Sequence, residues 1–220
     1  MATLLSVGDS LPRHLEITRR HMRKCSKTPG AASFGEAIKP HYDKLKSIQG
    51  KLEEAQEEIQ NGYDDIDLAD TLLDDTVRDL FDLITISDRR SNGMPLLPKV
   101  FPGGTFGYIV DSPVANEIDE VNKIIDRLKE ADSEGKFTEY IDKLTANAAN
   151  VKEAIDALKT KMDAYKSVKS ETEIIKSDLR WQYEVNYLDA RKQIGRKRAE
   201  LLFPKKTNNA KPVVDDTAEE

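Results

Sequence analysis

Ile38, Leu45, Leu52, Ile59, Ile66, Leu73 and Leu80 stand seven residues apart without a miss. Between them His41, Ile48, Ala55, Gly62, Ala69, Thr76 and Leu83 complete an alternating three–four spacing. A stretch with that period winds into a long helix whose apolar seam other helices must cover. If unbroken from Ile38 to Ile86 it is about 75 Å long, at roughly 1.5 Å per residue. Gly50 and Gly62 each weaken it by about 1 kcal/mol relative to alanine. Asn61-Gly62 could turn the chain back, but the heptad keeps its phase across Gly62, so the spacing predicts one helix over about 40–88. Pro40 either kinks that helix or opens it, and Ser33 and Glu36 have capping-box spacing just upstream.

A second seam follows later. Phe137, Ile141, Leu144, Ala148, Val151, Ile155, Leu158, Met162 and Tyr165 hold a heptad, which slips by three residues to Val168, Thr172, Ile175 and Leu179. This predicts a helix over about 137–202, ended by Pro204. Between the two lies a shorter helix, about 113–132, with Ser112 as N-cap, Pro113 in its first turn and Val114, Ile118, Val121, Ile125 and Leu128 inward. Short connections make neighbouring helices antiparallel. The expected lengths favour a third helix paired first with the second and then with the first. The alternative folds the second helix back on the first, with a break near Ala146–Asn150. The fold class expected is all-α: an elongated antiparallel coiled-coil hairpin or bundle with long helices over residues 33–203.

Composition supports this and excludes much else. The chain has 220 residues, 34% of them charged and 6% aromatic, which suits long helices better than a deep globular core. Cys25 is the single cysteine, so no internal disulfide and no Cys-rich zinc site can form. No apolar run approaches the ~20 residues of a membrane span, and the N-terminal apolar run stops at Gly8-Asp9-Ser10. A cytoplasmic protein is the expectation.

Charge is uneven within a net of −6. Residues 13–27 carry six bases against Glu16; residues 51–90 carry thirteen acids against four bases; residues 176–206 carry nine bases against four acids. Residues 1–32 are expected to form a basic arm whose Leu11-Pro12 opens a short helix, and residues 204–220 a disordered acidic tail. With the long helices antiparallel, Arg19, Arg20 and Arg23 of the arm meet Arg191, Lys192, Arg196, Lys197 and Arg198 at one basic pole. Leu11, Leu15 and Met22 against Tyr183 and Tyr187 would offset the repulsion.

Residues 94–111 break the helical pattern. Leu96, Leu97, Val100, Phe101, Phe106, Tyr108 and Ile109 sit among prolines and glycines, which predicts a non-helical loop with a small hairpin at Gly103-Gly104. It is either a satellite core capping the helix joint or an exposed patch for a partner or a membrane surface.

No catalytic constellation emerges. Asp67, Asp70 and Asp74 share a helix face and could hold Mg²⁺ or Ca²⁺, but a solvated face explains them without a second ligating element. His14, His21 and His41 lack the Glu-x-x-His spacing of di-iron bundles, and surface or interface positions are expected for the first two. Gly104 and Gly107 only echo a kinase loop, lacking its first glycine and its downstream motifs. Cys25 between Arg23, Lys24 and Lys27 is expected to be an incidental surface thiol. The basic segments could follow nucleic-acid phosphates, yet helix-end cations explain them equally well.

The expectation is therefore a non-enzymatic structural or adaptor protein without cofactor or metal. It would bind a partner protein, acidic in character, through helical surfaces. Self-association into a four-helix cross-section would cover the wide face formed where Tyr42, Tyr63, Val77 and Ile84 join the seam. The alternatives are a membrane-active helical protein using the loop 94–110, and a nucleic-acid-binding rod using the basic pole.

Overall fold

The computed structural model describes residues 4–90, 93–132 and 134–204, without the side chain of Ala115. Among them all regular structure is helical: α1 (Leu11–Ser26), α2 (Ala32–Arg90), α3 (Leu97–Val100), α4 (Gly107–Val110), α5 (Val114–Ala131), α6 (Thr138–Ile194) and α7 (Arg196–Leu202). The chain divides into two units, Met1–Glu54 with Lys166–Glu220, and Ala55–Tyr165. The two long helices, α2 and α6, contribute to both and pack against each other. The heptad helix runs unbroken through Asn61-Gly62, and α6 runs unbroken through Asn147–Asn150.

The first unit is closed by the arm. Ser10 caps α1 by accepting from the Arg13 amide, and Pro12 fits the first turn, where its missing N–H costs nothing. One face of α1 is buried: His14, Ile17, Thr18, His21 and Cys25. These follow helical spacing, but three are polar, so the apolar stripe Leu11–Leu15–Met22 expected to face inward is only half-buried at its edge. Gly35 of α2 lies so close to α1 that a Cβ there would be 3.3 Å from Cys25. Pro40 lies inside α2, which begins at Ala32, so Ser33 is not its cap. The core joins Ile17 to Ile38, Leu45, Leu179, Tyr183 and Phe203.

The expected helix to Leu202 is interrupted. Gly195 adopts φ +81°, a left-handed conformation that glycine takes without a steric penalty. The turn starts α7, whose Ala199 and Leu202, with Phe203, are buried in the same core. Tertiary docking outweighs the helical preference of the flanking residues.

The second unit is a three-helix arrangement. Leu73, Val77, Leu80 and Ile84 of α2 share a core with Val121, Ile124, Ile125 and Leu128 of α5 and Leu144, Ala148 and Val151 of α6. The Asn147 amide donates to the Leu72 carbonyl at 3.1 Å and the Thr76 hydroxyl at 2.9 Å. So early α6 meets α2 directly, and α5 folds back in the same core. This corrects the preferred pairing. With α2 starting at Ala32, α2 and α6 have 59 and 57 residues, and no length is left for α5 to fill alone. Val77 and Ile84 of the wide face invoked for self-association are thereby covered, while Tyr63 is exposed and Tyr42 half-buried. Pro113 rather than Ser112 is the α5 N-cap: its carbonyl accepts from Asn116 and Glu117, and the Ser112 hydroxyl is buried without a partner.

Seam burial tracks the cover available. Leu52, Ile59 and Ile66 are half-buried, whereas Ile38 and Leu45 in the first unit and Leu73 and Leu80 in the second are fully buried. The two helix-interior glycines differ for the same reason. A Cβ on Gly50 meets nothing within 4 Å, but one on Gly62 would come within 2.9 Å of Leu158 Cδ1 and 3.2 Å of Lys161 Cδ. Gly50→Ala is expected to stabilise by about 0.5–1 kcal/mol. Gly62→Ala has the same propensity gain but must displace Leu158, so its net effect should be zero or negative; urea unfolding of both variants checks the contrast.

Candidate functional site

The first unit gathers the basic residues of α1 and α7. The Lys24 ammonium donates to the Leu201 carbonyl at 2.7 Å, and His21 Nδ1 donates to the Leu202 carbonyl at 3.1 Å. Two groups of α1 thus satisfy free carbonyls at the C-terminus of α7, where a cation also complements the helix dipole. Arg20 pairs with Glu16, Arg196 with Glu200, and Arg191 lies over the Tyr187 ring. Lys192 lies 3.9 Å from Asp189. Among the described residues no acidic group lies within ion-pair distance of Arg19, Arg23, Lys197 or Arg198, all of which are exposed. Arg23 borders an apolar groove of about 360 Å³ with Met22, Ala32 and Gly35. Arg19 borders another, of about 250 Å³, with Leu15, Tyr42 and Lys46.

Beneath this surface is a polar joint that hydropathy could not reveal. Because His21 Nδ1 carries the proton, Nε2 is free to accept, and the Asn186 amide donates to it at 3.2 Å. The same amide donates to the Phe34 carbonyl at 2.7 Å, and its oxygen accepts from Gln182 at 3.0 Å. One asparagine of α6 therefore ties α1 to α2. The rings of Tyr183 and Phe203 enclose His21, with centroids 5.1 and 4.4 Å away. Cys25 Sγ lies 3.6 Å from His21 Nε2. Cys25 is fully buried, which corrects the expected surface thiol, and burial pushes its pKa up to about 11. His14 and His21, expected at surface or interface positions, are buried as well, and His21 lies in the joint between α1, α6 and α7.

Burial lowers the His21 pKa to about 4, against a weaker upward pull from the Leu202 hydrogen bond, and it lowers that of His14 too. As pH falls through the ordinary value of 6.5 the unfolded chain takes up a proton that the folded unit does not. Stability contributed by His21 is complete above that value and is expected to be lost between pH 6.5 and 4, by about 3 kcal/mol. Urea midpoints across this range should fall with acid, and less steeply in His21→Gln.

The loop residues behave differently from the expected patch. Val100, Phe101 and Ile109 are fully buried, Leu96, Leu97 and Phe106 are half-buried, and Met94 and Tyr108 are exposed, at 82% and 40%. The segment is not a hairpin: it forms the helical turns α3 and α4. Pro98 suits the first turn of α3, where no amide is needed. The Asp88 carboxylate accepts from the Leu96 and Leu97 amides, both at 2.8 Å, satisfying donors that a four-residue helix cannot. Phe81 packs edge-on to both Phe101 and Phe106. Val100, Phe101 and Ile109 belong to the same core as Leu73, Val77 and Leu80.

The aspartate face has a buried partner the spacing did not show. Glu117, in the first turn of α5, is buried beside Asp70 and Asp74, and each of the three carboxyl groups has an oxygen buried without a hydrogen-bond partner among the described residues. Burial and the two neighbouring carboxyl groups push its pKa up to about 9, which favours its neutral form at neutral pH. Among the described residues no group of three or more His, Cys, Asp or Glu side chains is placed to hold a metal ion. Nor, among them, is any helix long and apolar enough to cross a membrane.

No protein-family model matches the chain, no curated protein is similar to it, and no solved structure matches its fold.

Proposed function

We propose that this chain is a non-enzymatic cytoplasmic structural or adaptor protein, which binds a partner protein through its helical surfaces and associates with itself. In this reading the helices form an antiparallel coiled-coil bundle. Contacts within each unit support it, since later residues of α6 meet earlier positions of the chain: Asn186 meets Phe34 of α2 and Ile194 lies beside Gly30, just ahead of α2, in the first, while Leu158 meets Gly62 and Asn147 meets Leu72 in the second.

The observation that carries the reading is the set of exposed cations without ion-pair partners among the described residues, Arg19, Arg23, Lys197 and Arg198, on two helices held together by the Lys24 and His21 contacts. A rigidly presented basic surface recognises an acidic partner by steering and by complementarity. Burial of Val100, Phe101 and Ile109 gives the membrane reading no support. The acidic tail, Asp215, Asp216, Glu219 and Glu220, lies outside the described residues; in this proposal it competes with the partner for the basic surface.

The test is capture from lysate by the immobilised full chain, followed by mass spectrometry. Reversal of Arg196, Lys197 and Arg198 to Glu should abolish capture with helicity unchanged, and deletion of residues 207–220 should strengthen it. Capture that survives the reversal defeats the proposal, and a salt-dependent shift of DNA or RNA would replace it with the nucleic-acid reading.

A further inference from the structure

In the first unit α6 carries a second stripe that none of the described residues covers. Ile174, Trp181 and Leu188 are exposed at 63%, 64% and 54%. They lie seven residues apart, with half-buried Val185 completing the three–four spacing from Trp181 to Leu188. These are seam positions of a coiled coil, on the opposite side of α6 from its buried residues Thr172, Leu179, Tyr183 and Asn186. Large apolar side chains in such a row mark a surface for another helix.

The row is also polarised. On the same face Glu171 and Asp178 precede Trp181, and Lys192 follows Leu188, all three exposed. Taken from either end towards Trp181, the order is charge, aliphatic, then a position held by Asp178 on one side and Val185 on the other. The two ends carry opposite charge. A face with this symmetry complements itself when a second copy is laid on it in reverse. Laid in the same direction, Glu171 would oppose Glu171, Asp178 would oppose Asp178 and Lys192 would oppose Lys192. Reversal replaces all three like-charge contacts: Glu171 meets Lys192, Ile174 meets Leu188, Asp178 meets Val185, and Trp181 meets its own counterpart.

We propose that two copies of the chain pair through the Ile174–Trp181–Leu188 face of α6, antiparallel about a twofold axis at Trp181, with Glu171 of each copy against Lys192 of the other. This rests on the self-association in the proposed function and gives it a surface and a register. Tryptophan at the centre of an isologous patch, flanked by aliphatic side chains and rimmed by charge, has the anatomy of an interaction hot spot.

Trp181 is the chain's single tryptophan, so its emission reports on this face alone. Sedimentation of the full chain from micromolar to millimolar concentration should show a monomer–dimer equilibrium, with the emission moving to the blue as the dimer forms. Ile174→Glu keeps the reporter, and at an exposed position it should leave helicity intact while weakening association by about 30-fold or more. Glu171→Lys and Lys192→Glu should each weaken it by about 3- to 10-fold, since each places two like-charge contacts in the dimer. The double variant should return to within about threefold of the natural chain. The two positions are about 31 Å apart along one helix at roughly 1.5 Å per residue, so only a contact between copies gives that rescue.

A monomer at every concentration overturns both this proposal and the self-association in the reading above, whether Trp181 is solvent-exposed or covered by its own chain. A dimer indifferent to Ile174→Glu overturns this surface and leaves self-association standing. A dimer weakened by Ile174→Glu but not rescued by the charge swap overturns the antiparallel register.

Discussion

Raising the pH from 5 to 10 is expected to destabilise the second unit by about 3–5 kcal/mol, the cost of leaving a buried charge uncompensated. Glu117 is the cause. Its folded pKa, about 9, lies above the ordinary 4.5, so the folded unit holds a proton that the unfolded chain releases. The stability this contributes is fully present below pH 4.5 and is lost as pH rises through 9. Deprotonation would set a third negative charge beside Asp70 and Asp74, and the Arg78 guanidinium, 3.0 Å from Asp74, balances only one of them. Glu117→Gln keeps a neutral donor in the same place and should flatten the profile. Glu117→Ala should lower stability even at pH 5, because it empties a buried site beside the two aspartates. Thermal melts of the three proteins at several pH values decide it; an unchanged alkaline loss in Glu117→Gln would assign the titration to another group.

Phe203→Ala is expected to cost the first unit about 3–5 kcal/mol, the usual range for emptying a fully buried aromatic site. Phe203 is 1% exposed and lies within 4.4 to 5.1 Å, between centroids, of His21, Tyr183 and Tyr187. Its loss removes one wall around His21 and the apolar anchor that holds α7 on α1. Leu201→Ala, two residues away and 70% exposed, should change stability by no more than about 0.5 kcal/mol. Guanidinium unfolding of the pair measures the contrast directly. Equal effects would mean that α7 is not docked through Phe203.

Much of this architecture is legible in the sequence, and the illegible part has a common cause. The α2 and α6 seams are local patterns repeated over many turns, so Ile38 to Leu80 and Phe137 to Leu158 reveal their helices without outside information. The short helix of the arm announces itself by Ser10, Leu11 and Pro12. What escapes depends on residues far away in the chain. The α3 turn needs the Asp88 carboxylate eight and nine residues upstream, so its prolines alone suggest a loop. Gly195 could sit inside a helix; the docking of Leu202 and Phe203 on α1 selects the left-handed turn instead.

The buried face of α1 is the instructive miss. His14, Ile17, Thr18, His21 and Cys25 have flawless helical spacing, and a search by spacing rather than hydropathy would have found them. The burial of His21 is tolerable because Asn186 and Leu202 supply hydrogen bonds to it that no local sequence encodes, whereas His14 Nε2 and the Thr18 hydroxyl are buried without a partner among the described residues. Likewise Asp70 and Asp74 are visibly on one face, but nothing near them points to Glu117. Of the basic pole, the residues were evident and their joining was an inference from helix direction; the Lys24–Leu201 contact comes from α7, which the pattern did not separate from α6.

The division of the chain also sets an order of events during synthesis. The second unit is one contiguous stretch, complete once Tyr165 has been made, whereas the first is assembled from two segments with that stretch between them. His21 and Lys24 find their carbonyl partners only when Leu201 and Leu202 exist, 177 and 181 positions later. At roughly 5–20 residues per second, the forty or so residues after Tyr165 take about 2–8 s to add. For that interval Ile17, Ile38 and Leu45 belong to a nascent chain whose second unit can already be folded, and their apolar faces are open to whatever holds or traps unfinished proteins.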